Sequence, residues 1–74
     1  MDLLEVLKIM EFGARFKICF FDRDKKEVGQ PIFHGNLNDF ESKGYMDEKV
    51  NSILERIVKV LQSEPNQELK IVLY

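Results

Sequence analysis

Between Asp47 and Gln62 the apolar residues fall at Val50, Ile53, Leu54, Ile57, Val58 and Leu61, with polar or charged residues at most positions between them. Spacings of three and four predict an amphipathic helix, and six of the seven apolar residues in the stretch lie on its stripe, leaving only Val60 outside. A competing pattern is also present. Val50, Ile53, Ile57, Val58 and Val60 are β-branched, and Val58 to Tyr74 can be drawn as a hairpin around Glu64-Pro65-Asn66-Gln67. Template counting favours the helix, because the better alternating face of 50–61 buries Ser52 and Arg56.

The same reading applied from the N-terminus predicts a helix over residues 3–12. Asp2 followed by Glu5 forms a capping box, Leu3, Leu7 and Met10 share a face, and Gly13 stands where a left-handed cap is wanted. From Arg15 the period falls to two. Phe16, Ile18 and Phe20 point one way, and Arg15, Lys17, Cys19 and Phe21 the other, which predicts a strand with one buried face. A charged turn over 22–27 returns the chain into a second strand, 28–34, weakened by Gly29 and Pro31 and so suited to an edge. Asn38 with Glu41 repeats the capping pattern, predicting one short helical turn over 39–43 with Leu37 and Phe40 pinned to the core. Leu69, Ile71 and Leu73 alternate against Lys70, Val72 and Tyr74 in a last strand. The expected fold is a single α+β domain spanning residues 1–74, ordered αββ(short α)αβ, with an antiparallel or mixed sheet and its helices on one face.

At 74 residues such a domain hides only about 60% of the surface of its unfolded chain, which makes a homodimer an attractive means of further burial. Cys19 is the sole cysteine, so no internal disulfide forms, and the absence of a basic n-region before MDLLEVLK argues against a signal peptide. No apolar run approaches the roughly 18 residues of a membrane span. A cytoplasmic setting is expected. The net charge of −2 is unevenly spread: residues 15–26 carry +3 and residues 27–48 carry −4.

Candidate chemistry is sparse. His34 is the only histidine, and neither a second histidine nor a cysteine lies near it in sequence. Cys19 has only Lys17 and Phe21 as same-face neighbours, weak activation for a nucleophile. Asp22-Arg23-Asp24 opens like a calcium loop, but lysines follow where oxygen ligands and a glycine are required. Asp39, Glu41, Asp47 and Glu48 sit around helix starts, where acids are favoured by the local dipole. The glycines at 13, 29, 35 and 44 are isolated and make no phosphate loop. The expectation is therefore a non-enzyme with no catalytic residues, no metal site and no cofactor.

A contact surface is better supported. Arg15, Lys17 and Phe21 share the outer face of the first strand, Arg23, Lys25 and Lys26 extend it around the turn, and Val72 and Tyr74 face outward from the last strand. These eight residues are the candidate partner-binding set, with another protein as the partner. Basic residues interleaved with an aromatic also suit single-stranded nucleic acid, but Asp22, Asp24 and the negative net charge disfavour it.

The runs Phe33-His34-Gly35-Asn36-Leu37-Asn38-Asp39-Phe40 and Tyr45-Met46-Asp47-Glu48-Lys49-Val50-Asn51-Ser52-Ile53, with the closing Leu69-Lys70-Ile71-Val72-Leu73, resemble small uncharacterised accessory proteins of Gram-positive bacteriophages and mobile elements. The resemblance implies an N-terminal helix, a hairpin ending in an F-x-G-x-L-like turn and a closing edge strand. It implies no catalytic residues. It points to an inhibitor or modulator of a larger host protein, such as a counter-defence factor.

Overall fold

A computed structural model describes residues 1–45 and 52–74. Helix α1, Leu3–Ile9, opens with the expected capping box: the Asp2 carboxylate accepts from the Glu5 N–H at 3.0 Å, and Glu5 accepts in return from the Asp2 N–H. It stops earlier than residue 12 because Met10 turns extended, which leaves Phe12 86% exposed. Strand β1, Phe16–Asp22, is followed by β2, Glu27–Val28, and β3, Phe33–Gly35. The expected continuous strand 28–34 is thus interrupted around Pro31, which has no N–H for a ladder. Helix α2, Leu37–Ser42, is capped by Asn36 with Asp39 rather than by Asn38 with Glu41.

The largest departure from the sequence pattern concerns the expected helix 47–62. Ser52–Glu55 is a single 3₁₀ turn, and Val58–Ser63 is strand β4, joined to β5, Leu69–Leu73, by the turn at 64–67. The hairpin pattern therefore prevails over the helical stripe. The portion of that expectation covering residues 47–51 lies outside the described residues. The α+β class and the mixed sheet with helices on one face hold.

The main path of the sheet runs β2-β1-β5-β4, with β3 also paired to β1. Strands β1 and β5 are parallel and the other pairs antiparallel, so the closing strand is interior and not the edge strand that the resemblance implied. Register sorts the side chains. Phe16 opposes Leu69, Ile18 opposes Ile71 and Phe20 opposes Leu73, and this inner face packs on Leu3, Val6 and Leu7 of α1 and Phe40 of α2. The aromatic part of this core is a cluster: Phe40 lies 5.0 Å from Phe33, 5.8 Å from Phe16 and 4.9 Å from Tyr45, centroid to centroid.

Gly35 joins β3 to α2 at a place with no room for a methyl group. A Cβ there would lie 2.7 Å from Asp39 Oδ2, 3.1 Å from Asp39 Cβ and 3.1 Å from Phe33 Cζ. The obstruction includes Asp39 Cβ, so it cannot be relieved by rotating the carboxylate alone, and that carboxylate caps the Asn36 N–H. Gly35→Ala is expected to destabilise the fold by about 1–3 kcal/mol, read as a lowered midpoint in urea denaturation. An unchanged midpoint would mean that α2 shifts freely.

Candidate functional site

The outer face of the sheet is built by the alternate residues of the same strands. β1 contributes Lys17, Cys19 and Phe21, and β5 contributes Lys70 and Val72, with Lys17 directly opposite Lys70 and Cys19 opposite Val72. From β3, His34 opposes Lys17. In β4 the register slips between Val58 and Val60, a bulge that inserts Lys59 and brings Val60 opposite Val72. The centre of this face is closed. Cys19 and Val72 are 1% and 2% exposed, so they are a buried apolar layer and not the exposed surface hydrophobes expected from alternation. Strand alternation assigns a face but not its burial, and the charges of Lys70, Lys17 and Glu64 act on the Cys19 thiol. Burial foremost raises the Cys19 pKa, which keeps the thiol protonated and unreactive.

At one end, Phe21 and Tyr74 pack edge to face at 6.5 Å. The Lys59 Nζ sits 4.7 Å from the Phe21 centroid and 5.7 Å from that of Tyr74, and the Arg23 guanidinium lies 5.0 Å from the Tyr74 ring. The bulge explains how Lys59 reaches these rings. At the other end, Glu68 accepts from Arg15 Nε at 3.3 Å and from His34 Nε2 at 2.7 Å, while Lys17 pairs with Glu64 at 3.6 Å. Lys70, Lys59 and Arg23 take part in none of the ion pairs found among the described residues.

The structure thus brings Arg15, Lys17, Phe21, Arg23 and Tyr74 to one face, with Val72 beneath it. Lys25 and Lys26 sit instead on the exposed β1–β2 turn. The acids of that turn do not form a cation loop: Asp22 Oδ1 accepts from the N–H groups of Asp24 and Lys25, which occupies the carboxylate with its own backbone. No cluster of His, Cys, Asp or Glu able to hold a metal occurs among the described residues. Nor is any helix among them long and apolar enough to cross a membrane. Sequence reading missed Lys59, because its segment reads as helix, and missed the Arg15–Glu68–His34 group, because 53 and 34 residues separate Glu68 from its partners. A groove of about 240 Å³ lies between α1 and α2, its wall formed by Leu4, Leu7, Phe12 and Leu37 together with Lys8, Asn38 and Glu41.

Glu68 has a pH consequence. The hydrogen bond from His34 foremost, with that from Arg15, holds its carboxyl below the ordinary 4.5. A carboxylate favoured in the folded state contributes stability that is full above the unfolded pKa and lost as pH falls through the folded value. Glu68→Gln is therefore expected to lower the melting temperature at neutral pH, with the gap from the parent closing as pH falls below 4.5. Parallel melting curves against pH for the two proteins check this, and a constant gap would exclude Glu68 as the titrating group.

Comparison of the chain with family models, with curated proteins and with solved structures finds no match.

Proposed function

We propose that the chain is a non-enzymatic binding module that docks the basic outer face of its sheet on an acidic surface of a larger protein. The observation that carries this reading is the direct opposition of Lys17 and Lys70 on neighbouring strands, within a face that also holds Arg15, Arg23 and Lys59. Glu64 offsets Lys17 and Glu68 offsets Arg15, whereas Lys70, Lys59 and Arg23 take part in no ion pair among the described residues, so the face keeps a surplus of positive charge on a chain of negative net charge. An anionic partner neutralises that surplus.

The aromatic end distinguishes the class of partner. A single nucleic-acid strand needs open ring faces on which bases stack. Here the two rings pack on each other and cations already lie over them, an arrangement that suits recognition of carboxylates by pre-positioned cations better than base stacking. Together with the resemblance to phage and mobile-element proteins, this supports a cytoplasmic accessory factor that inhibits or modulates a host protein.

The test is capture from a nuclease-treated lysate of a Gram-positive host by the tagged protein and by its Lys59→Gln/Lys70→Gln variant, each read by mass spectrometry. One stoichiometric protein retained by the parent, released by salt and lost with the variant supports the reading. Equal recovery by both proteins would dismiss the face. Salt-sensitive binding of an oligonucleotide with no captured protein would replace the partner class.

A further inference from the structure

Strand β4 is an edge, and beyond the bulge at Val58–Val60 it lacks the usual protection of one. The N–H of Val58 donates to the Met1 carbonyl at 2.9 Å, so the N-terminal residues cover the start of the strand. Among the described residues nothing pairs with it beyond that point. The Glu64 N–H donates to the Glu68 carbonyl at 2.8 Å, which fixes the alternation of the ladder: Gln62 and Val60 turn their backbone groups toward β5, and Leu61 and Ser63 turn theirs outward. Natural edges are usually guarded by proline, by a charge or by a covering element. The opposite side of the sheet carries Pro31 between β2 and β3. β4 contains no proline, and its one charged residue, Lys59, is drawn away over the Phe21 and Tyr74 rings. Val60 is left 40% exposed on the outer face, and Leu61 is left 44% exposed on the inner one.

From this we infer that β4 pairs antiparallel with β4 of a second copy, about a two-fold axis through Gln62, joining two sheets into one. The occupant is a second copy because the edge is complementary to itself. With the axis at Gln62, Leu61 of each copy exchanges both backbone hydrogen bonds with Ser63 of the other, so all outward groups of the two residues are satisfied. Every opposed pair then lies on a matching face of the pleat. Gln62 meets its own counterpart across the axis, and an amide carries both the donor and the acceptor that such self-pairing needs. No like charges meet, and Val60 and Leu61 of both copies become part of a continuous surface. This pairing is independent of the basic face, which stays open on both copies.

Sedimentation across a wide concentration series tests it. The parent is expected to dimerise, and Gln62→Lys and Gln62→Glu are each expected to weaken the dimer by up to about fivefold through like charges facing across the axis. Mixing the two variants is expected to restore dimerisation, which no unrelated surface would do. Ser63→Pro supplies a second route, because it removes an N–H that the protomer itself does not use; circular dichroism confirms that its fold is intact. A parent that stays monomeric throughout overturns the inference. So does a dimer insensitive to these substitutions, or a mixture of the Lys and Glu variants no more dimeric than either alone.

Discussion

Phe40→Ala is expected to remove about 3–5 kcal/mol from the stability of the domain. Phe40 is fully buried, and its ring is the hub of the aromatic cluster, in contact with Phe16, Phe33 and Tyr45. Truncating a buried phenylalanine costs about 3–5 kcal/mol, combining lost transfer energy with the cavity left behind. At ~0.05–0.15 kcal/mol per residue, a chain of this length has roughly 4–11 kcal/mol of stability to lose. The cost is thus comparable with the lower part of that range. Repacking offers little relief, because Phe40 is the one fully buried residue of the six in α2, with Leu37 only partly buried beside it. Phe12→Ala provides the contrast. That residue is equally aromatic but 86% exposed, and its removal is expected to change stability by no more than about 0.5 kcal/mol. Urea denaturation of both variants, followed by near-ultraviolet circular dichroism, separates burial from mere aromatic content. Equal midpoints for the two would mean that the cluster contributes nothing.

That Phe40 belongs to the core is legible from the sequence, as are the Asp2–Glu5 capping box, the two faces of β1 and the alternation of β5. The capping box rests on hydrogen-bonding side chains at a fixed spacing, and the others on the pattern that burial of the inner face imposes. The helix expected over 47–62 fails for the converse reason. β4 is an edge strand whose residues are exposed on both faces after Val58, so no buried face imposes alternation on it, and its apolar residues fall by chance at helical spacing. The β-branched residues and the turn at 64–67, where Gln67 adopts a positive φ of 66°, were the true local signals. The candidate site was legible to the same extent. Arg15, Lys17, Phe21 and Tyr74 follow from period two, whereas Lys59 reaches Phe21 only through a bulge that no pattern announces. Cys19 and Val72 were assigned to the right face, yet alternation holds no information about how deeply a small residue in the middle of a face is buried.

The Lys59→Gln/Lys70→Gln variant is expected to lose binding to the captured partner while keeping its fold, and that separation is what marks the outer face as functional. Lys70 stands opposite Lys17, so neutralising it removes a like-charge opposition and stabilises the sheet by about 0.2–1 kcal/mol. Neutralising Lys59 removes its contacts with the Phe21 and Tyr74 rings and costs about 0.5–1 kcal/mol. The two effects oppose each other, and the melting temperature should scarcely move. Binding has no such compensation. Close charge pairs at an interface are coupled by about 1.5 kcal/mol or more, so two lost pairs weaken affinity on the order of 10²-fold. Lys25→Gln/Lys26→Gln alters the net charge equally but on the exposed turn, and it is expected to change affinity by no more than a few fold, mainly through association rate. Calorimetric titration of the isolated partner with both double variants, beside their melting curves, makes the comparison. Matched losses in the two variants would reduce the effect to net charge. A fall in melting temperature that tracked the loss of affinity would return Lys59 and Lys70 to the fold, whereas lost affinity at constant stability places the two lysines in the contact itself.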